Sequence, residues 1–529
     1  MSASAESAAA PGVTLHAPAS GEFLGHFPWQ SAAAVRALLG SAHAAQPQWA
    51  ATPLAERRQC IAGLRQLLLF QTDALAQLIA DCVGKTRVEA LATEIMPTVA
   101  ASRWYERHAA KFLRPRRLQR GSLLYLNKRS TLYRVPWGVI GVISPWNYPL
   151  GIPMHEILPA LLAGNAVVFK TAPETLPVGF KIAELMRLAG VPQDVFQHVN
   201  IDGPTCGDLW LETGGVDKLF FTGSVRVGKL LAEKAARALV PVSLELGGKD
   251  AMIVCADADL KRAAAGAVWA GLSNAGQSCA GVERIYVQET VYAPFLELLS
   301  QKVARLRTGQ DRDFNVDVGA LCTARQVETV RHHLEDAFQR GARVAAKAAA
   351  PADDNPHFVA PLVLTQVDHG MAVMREETFG PVLGVMPFAS DAQAIQLAND
   401  SAYGLTASVW SRDLRQAERL ARQIHAGAIM INDHLLSHAQ TETPWGGFKH
   451  SGYGRGHGQF AFEAVTAPKV IVHDWLKLIR YQPYWMPYNR QVYEGLKGIT
   501  LALYARRWSH RFAGLWRALK LVPRVFRLP

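Results

Sequence analysis

The 529-residue sequence contains no run of about 18 apolar residues, so no membrane-spanning helix is expected. Its six cysteines (Cys60, Cys82, Cys206, Cys255, Cys279 and Cys322) are scattered, and no two form a CxxC pair. That argues against a disulfide framework and a cysteine-based zinc site, and it fits a reducing compartment. No metal is expected from histidine spacing either. His155-Glu156 is not followed by a second histidine one helical turn on, and His332-His333 sits with Glu335 and Asp336 as a solvated helix face. There is no Walker loop and no GxSxG elbow. No GxGxxG follows a strand, and GYGRGHG (Gly452 to Gly458) reads as a glycine-rich loop. The N-terminus, MSASAESAAAPG, lacks a basic region and contains Glu6, so residues 1–20 read as a flexible tail rather than a secretory signal.

Acidic residues are scarce in one region only. From Trp475 to Pro529 eleven Lys and Arg face one acid, Glu494, and this stretch therefore carries ten of the chain's twelve net positive charges. The body is near neutral, which excludes a basic nucleic-acid-binding body.

A hydrophobic content of 49% and a mean hydropathy of +0.04 suit a globular α/β protein with two or three domains. Apolar residues recur at helical spacing over 32–51, 54–82 and 88–112. Residues 123–135 alternate and read as a hairpin. Short apolar runs at 139–144, 166–169, 197–200 and 219–222 are separated by helical patterns at 153–163, 178–189 and 227–239, the mark of βαβ units. A second such series has strands near Met252, Ile285, Val363 and Val385 and helices over 259–274, 292–307 and 323–340. These imply two parallel-sheet α/β domains, with Glu245 and Cys279 flanking their junction.

Gly271 to Arg284, GLSNAGQSCAGVER, sets Cys279 among small and polar residues, where a substrate carbon has room to reach the sulfur. A structural cysteine usually has bulky apolar neighbours. Upstream, in LELGGKD, Glu245 ends an apolar run; a carboxylate at the end of a buried strand is a candidate general base, because desolvation raises its pKa. Lys249 in the same string reads as structural or electrostatic.

Together with SPWNYPL (Ser144 to Leu150), VVFK (Val167 to Lys170), FFTGSVRVG (Phe220 to Gly228), EETFGPV (Glu376 to Val382) and PWGGFKHSGYGR (Pro444 to Arg455), these strings resemble the aldehyde dehydrogenase superfamily in order and spacing. The resemblance runs from about Ala50 to Val472 and implies a Rossmann-like coenzyme domain (21–117 and 138–247) and a catalytic domain (248–445). It further implies a small β oligomerisation element (118–137 and 460–474) and a homodimer or homotetramer. A basic, aromatic helical extension (475–529) lies past the family's usual end.

The implied chemistry is oxidation of an aldehyde to a carboxylic acid with NAD or NADP. Cys279 would add to the carbonyl as a thiolate, Asn147 and the Cys279 backbone N–H would donate to the oxyanion, and Glu245 would activate the water that hydrolyses the thioester. The coenzyme residues implied are Pro145, Trp146, Lys170, Gly223, Ser224, Glu377 and Phe379. A glutamate that often follows the lysine by three residues is replaced here by Pro173, with Glu174 one step on, which leaves the choice between NAD and NADP open. The alternatives are a coenzyme A-acylating dehydrogenase, an aromatic-aldehyde or semialdehyde dehydrogenase, and a non-catalytic, membrane-bound scaffold. Acylating relatives typically lack the base, so Glu245 favours hydrolysis.

The extension carries aromatics at Trp475, Tyr481, Tyr484, Trp485, Tyr488, Tyr493, Tyr504, Trp508, Phe512, Trp516 and Phe526, and apolar residues at helical steps from Val492 to Leu519. Lys and Arg with aromatics on an amphipathic helix is the composition of a segment lying in a membrane interface; a helix docked on the enzyme or a partner subunit is the alternative. It also resembles the extension of fatty aldehyde dehydrogenases. The expectation is a cytoplasmic enzyme, peripheral at the membrane surface, that takes long-chain or other lipophilic aldehydes.

Overall fold

The computed structural model describes residues 11–212, 215–349, 351 and 354–526. One compact unit takes in the chain up to Phe112 and Pro136–Thr466; Leu113–Val135 and Ala467–Pro529 form the second. The first unit holds two large sheets. One has six strands in the order Gly452–Tyr453, Val242–Glu245, Lys218–Thr222, Val139–Ile143, Ala166–Lys170, Phe196–His198. All its pairings are parallel except the first, where Gly452 lies opposite Glu245. The other has seven strands in the order Arg343–Lys347, Leu362–Thr365, Val382–Phe388, Val282–Gln288, Asp250–Val254, Thr406–Trp410, Ala428–Ile431, and only its first pair is antiparallel. Near-continuous apolar strands such as AVVFK and DAMIV are buried throughout, as parallel sheets covered on both faces require. The two-sheet α/β architecture read from the sequence is therefore present, with helices at 151–163, 176–188, 225–238, 260–272, 289–304 and 324–339.

Four expectations need correction. Residues 1–20 are no tail where they are described: Gly12–His16 pairs antiparallel with Phe23–Pro28, and Leu15 is buried. The strand is short and sits in an Ala/Ser-rich stretch that masks its alternation; residues 1–10 lie outside the described residues. The alternating stretch 123–135 is not a self-contained hairpin. Leu123–Tyr125 is a 3-10 turn capped by Ser122, and the strand Lys128–Pro136 pairs with Arg116–Arg117 instead. Finally, the loop at 452–458 begins as a strand, because Gly452 at φ 110° brings its backbone against Leu244, where a Cβ would lie 2.0 Å from the Leu244 carbonyl oxygen. The helix Gly458–Ala464 belongs to the first unit, so the small β element begins after Thr466 and not at residue 460.

The second unit is built on a three-stranded sheet, Thr466–Asp474 next to Lys128–Pro136 next to Arg116–Arg117. Asp474 ties its parts together by accepting from Lys128 Nζ (2.7 Å), Asn127 Nδ2 (2.9 Å) and Gln482 Nε2 (2.8 Å). The extension forms two helices, Arg490–Tyr504 and Trp508–Leu519, packed on each other as an antiparallel hairpin. A Cβ on Gly514 would lie 2.6 Å from the Gly498 carbonyl oxygen, and one on Gly495 would meet Leu521 at 2.3 Å. With glycine at the contact, the large side chains face outward: Trp508 and Trp516 are each 70% exposed and Phe512 66%.

A buried polar cluster in the first unit links its helices to the loops that carry the motifs. Lys85 Nζ donates to Glu94 Oε1 (2.8 Å) and to the Asn147 carbonyl (2.7 Å). Glu94 Oε2 accepts from the backbone N–H of Leu150 (2.8 Å) and Gly151 (3.2 Å), where the helix Gly151–Ala163 begins. Both side chains of the pair are fully buried. Lys85→Met leaves Glu94 without its cation, and we expect a loss of about 3–5 kcal/mol in unfolding free energy. Denaturant titration of Lys85→Met against the wild type measures it, and a loss under about 1 kcal/mol contradicts a structural role for the pair.

Candidate active site

The helix Leu260–Leu272 runs into a turn in which Asn274, Ala275 and Gly276 all take left-handed backbone angles, with φ of 54°, 52° and 74°. For Asn and Ala that conformation costs about 1–2 kcal/mol each, so it persists only where the surroundings enforce it. Here Glu89 Oε1 accepts from the Asn274 N–H (2.6 Å), and Asn274 Nδ2 donates to the carbonyls of Asn147 (3.0 Å) and Gln277 (3.1 Å). Gln277 Oε1 in turn accepts from the Cys322 N–H (2.8 Å). Glu89 also closes the capping box of its own helix with Thr86. The turn delivers Cys279 to a point where three cavities meet.

The thiol is not resting as a thiolate. Burial pushes its pKa well up, and the charges of Glu377, Asp250 and Glu245 push it further, against a weaker pull from its own backbone N–H. Cys279 therefore needs its proton removed at the time of reaction. A Cβ on Gly248 would lie 2.1 Å from the Cys279 carbonyl oxygen, so Gly248 is what lets the two motifs approach.

Glu245 ends the strand Val242–Glu245 and lines two of the three cavities with Cys279. Its Oε2 is buried without a protein partner. Its pKa is raised well above the usual range, first by burial, then by the charge of Glu156, against the pull of Arg455. Asn147 is buried beside them; its Nδ2 donates to the Gln277 carbonyl (3.1 Å), which leaves the second N–H of the amide for another acceptor. The structure thus brings Cys279, Glu245 and Asn147 around one cavity.

That cavity, of about 540 Å³, is also lined by Pro145, Trp146, Glu174, Gly223, Ser224, Glu377 and Phe379. Ser224 caps the helix Val225–Ala238, so its N-terminus opens on the cavity wall. Glu377 Oε1 accepts from the Gly248 N–H (3.0 Å), and burial with the nearby Glu283 pushes its pKa up to about 8. Phe379, held at φ 51°, packs edge-on against Trp146 with ring centroids 5.5 Å apart. Pro173 starts a one-turn helix that sets Glu174 on the wall, and Glu174 Oε2 is a buried acceptor with no protein partner. Lys170 is the exception among the expected coenzyme residues. It is buried at its strand end with Nζ donating to the Thr171 carbonyl (3.2 Å), close enough for its charge to act on Glu174 but not on the wall itself. The unpartnered Glu174 acceptor, the helix N-terminus and the cations Arg226 and Arg325 fit a dinucleotide.

A second cavity, of about 270 Å³, reaches Cys279 from another side. Its walls are Pro97, Tyr148, Ile152, Trp269, Leu435, Leu436 and Trp445, with His434, His438 and Asp433; none of the described residues lining it is a lysine or an arginine.

Sequence reasoning missed several residues. Lys85, in the connector between two helical patterns, and Glu89 and Glu94, in the second of them, hold the Asn147 and Asn274 segments. Arg226 lay inside a quoted string without a role. Lys249, left open, is a buried cation paired with Glu283, which accepts from the N–H groups of Thr378 (2.9 Å) and Phe379 (3.1 Å) and so fixes the loop after Glu377. Glu156, in contact with the same machinery, carried no signal beyond its histidine neighbour. Among the described residues no group of His, Cys, Asp and Glu has the geometry to hold a metal ion.

Comparison with known proteins agrees with this arrangement. Residues 5–471 match the sequence profile of the aldehyde dehydrogenase family. The chain is 41% identical over 487 residues to the 4,4'-diapolycopene aldehyde oxidase of a Methylomonas species, spanning 92% of this chain and 90% of that protein. A succinate-semialdehyde dehydrogenase from Burkholderia pseudomallei superposes with a TM-score of 0.84 at 32% identity, covering 88% of this chain and 95% of that one. The NAD+ complex of an aldehyde dehydrogenase from Bacillus cereus superposes with a TM-score of 0.83 at 32% identity, covering 88% and 93%. The thiol, the carboxylate and the dinucleotide-sized cavity thus sit in a chain that belongs to the aldehyde dehydrogenase family and uses NAD or NADP.

Proposed function

We propose that the protein oxidises a lipophilic, long-chain aldehyde to its carboxylic acid by covalent catalysis on Cys279. The observation that carries the substrate class is the second cavity: aromatic and aliphatic walls lead to the thiol, and no lysine or arginine lines it. A semialdehyde brings a carboxylate, which a buried wall without a cation receives poorly. The likeness to an enzyme named for a diapolycopene aldehyde is in keeping with the same reading.

In this reading Cys279 passes its proton to water in the larger cavity, its sulfur adds to the aldehyde carbon, and the Asn147 amide donates to the oxygen as charge develops there. One such donor is typically worth about 3 kcal/mol in the transition state. Bound in the larger cavity, NAD or NADP supplies the hydride acceptor that converts the thiohemiacetal to a thioester. Glu174 and Arg226 would hold its polar groups, and Glu377 with Phe379 would line the reacting end. Glu245 then takes a proton from water as the water attacks the thioester, and Cys279 leaves as the thiol. The buried, elevated Glu245 is matched to accepting a proton near neutral pH. A coenzyme A-acylating enzyme would not require this base. The enzyme acts as a homodimer or homotetramer in the cytoplasm.

The helical hairpin of the extension supports contact with an anionic membrane surface. Exposed tryptophans and phenylalanines alternate with arginines on it, and each basic residue near such a surface adds about 1 kcal/mol. No helix among the described residues is long and apolar enough to cross a membrane, so the contact would be peripheral.

Three outcomes are expected. Glu245→Gln should give a burst of reduced coenzyme followed by a slow steady state, because acylation proceeds while hydrolysis stalls. Cys279→Ala should show neither phase yet still bind coenzyme; equal slowing of both phases in Glu245→Gln assigns it to thiol activation instead. Titration should show both NAD and NADP in use, and Glu174→Gln should move the preference toward NADP by removing a negative charge near the 2' position; a hundredfold NAD preference in the wild type, about 2.7 kcal/mol, would rule out relaxed use. Full-length protein should sediment with anionic vesicles where a chain ending near Asp474 does not, and kcat/KM should rise with aldehyde chain length. Supernatant for both proteins together with a preference for short aldehydes refutes the membrane reading.

A further inference from the structure

The near-neutral body of the sequence conceals a separation of charge in the fold. Leu113–Val135 and Ala467–Pro529, which make up the second unit, hold 19 of the 56 Lys and Arg and 2 of the 44 Asp and Glu. The second unit therefore carries a net +17 and the first a net −5. Seven of the nineteen lie in Leu113–Val135, which has no acid at all. Folding brings that stretch into one unit with the basic extension, so the surplus belongs to the unit and not to the tail alone.

A cavity of about 500 Å³ lies within this unit. Arg117, Lys128, Arg129 and Ser130 line it from the small sheet, and Arg120 and Ser122 from the connection between its strands; no Asp or Glu is among the described residues lining it. Its cations are engaged unequally. Lys128 is paired with Asp474 at 2.7 Å. The Arg129 guanidinium lies over the Trp475 ring at 3.7 Å, which covers one face and leaves its N–H edges for an acceptor. Arg117 and Arg120 are exposed and make no ion pair among the described residues. The frame around them is tied down. The Leu118 N–H donates to the Ser130 carbonyl (2.9 Å), and Ser122 Oγ accepts from the Leu124 N–H (3.0 Å). Trp475, at the start of the extension, donates its N–H to the Asn127 carbonyl and its indole Nε1–H to the Leu126 carbonyl, both at 3.0 Å. Ser122 is also hydrogen-bonded to Tyr504 of the helix Arg490–Tyr504. The cavity and the hairpin with the exposed tryptophans are parts of one bonded framework.

We propose that this cavity binds the phosphate of an anionic phospholipid headgroup, with Arg117, Arg120 and Arg129 as its donors, while the hairpin meets the membrane beside it. This rests on the reading of the extension as a membrane-contacting segment. Three guanidiniums without a carboxylate partner suit phosphate, whose oxygens accept paired N–H bonds from such forks. The volume is many times the share of one water, about 30 Å³, so it has room for the headgroup beyond its phosphate. The exposed aromatics supply the apolar half of the contact and the cavity the ionic half. No bond is made or broken. The hairpin alone would bind any negative surface, and the cavity adds a preference for phosphate.

The test has a soluble and a membrane arm, both on the full-length protein. In the first, glycerol 1-phosphate is titrated by calorimetry at low ionic strength. The wild type should bind it at one site per chain, and Arg117→Gln combined with Arg120→Gln should not bind it at the same concentrations. The second arm is sedimentation with phosphatidylcholine vesicles carrying either phosphatidylglycerol or, at equal surface charge, oleate. The wild type should favour the phosphatidylglycerol vesicles; the double variant should bind them about thirtyfold more weakly and lose the preference over oleate. Arg506→Gln combined with Arg507→Gln removes the same charge from the hairpin. It should weaken binding to both kinds of vesicle equally and leave glycerol 1-phosphate binding intact. Turnover of a short, soluble aldehyde should be unchanged in both variants, which shows that they fold, and Arg120→Gln alone reads the same shift at smaller size if the double variant does not. Absence of glycerol 1-phosphate binding by the wild type, or equal binding by the double variant, overturns the proposal even where vesicles are bound. Phosphate binding lost with no change in vesicle preference assigns the cavity to a free phosphate ester and overturns the lipid source. A changed subunit number in the double variant, seen by light scattering, makes the cavity a contact between copies and overturns the proposal too. Wild-type protein left in the supernatant with every vesicle refutes the membrane reading itself, whatever calorimetry shows.

Discussion

The ammonium of Lys85 is the point on which the site depends. It is fully buried, and its hydrogen bonds run to a carboxylate from its own helical region and to the carbonyl of Asn147. A buried cation is tolerated only with such partners. Because those partners lie on separate segments, neutralising the charge also fixes where Asn147 sits and where the helix after it starts. Glu89, four residues on, does the same for the turn before Cys279 by accepting from Asn274. Cys279 and Asn147 are therefore positioned by charges that touch neither the thiol nor the side-chain amide.

The nucleophile itself occupies a place that makes it a poor thiolate at rest. Burial and three neighbouring carboxyls keep the proton on the sulfur. Such a thiol resists adventitious oxidation, since susceptibility follows thiolate character, and it becomes reactive only when a base removes the proton. The carboxyl at Glu245 is raised by the same burial.

How much of this could be read from the sequence divides along physical lines. The two parallel sheets were legible because buried strands are short apolar runs between helical patterns. Cys279, Glu245, Asn147 and the lining residues Glu174, Glu377 and Phe379 were legible because each stands in a compact string whose composition departs from its surroundings. Glu89 and Glu94 were not, because a charge on a helical pattern reads as solvent-facing until tertiary contacts bury it, and Lys85 was not, because a lysine in the short connector between two helices reads the same way. Lys170 is buried at its strand end and is not among the residues lining the larger cavity, and a strand-end lysine gives no hint of which way its side chain turns. The extension was legible as amphipathic helix but not as a hairpin: its glycines, Gly495, Gly498 and Gly514, look like weak points in a helix and are instead the contact between two.

The strand at Gly452–Tyr453 gives the molecule an order of assembly. It covers the edge of the six-stranded sheet at Glu245, yet it is synthesised some two hundred residues after that edge. At typical ribosomal rates the interval is about 10–40 s. Through that time the nascent chain presents an unpaired strand edge, open to pairing with a neighbouring chain, and the carboxylate at its end has no fixed surroundings. A chain cut short before residue 452 keeps that edge uncovered at Glu245, so the last strand of the sheet to be made is the one that covers it.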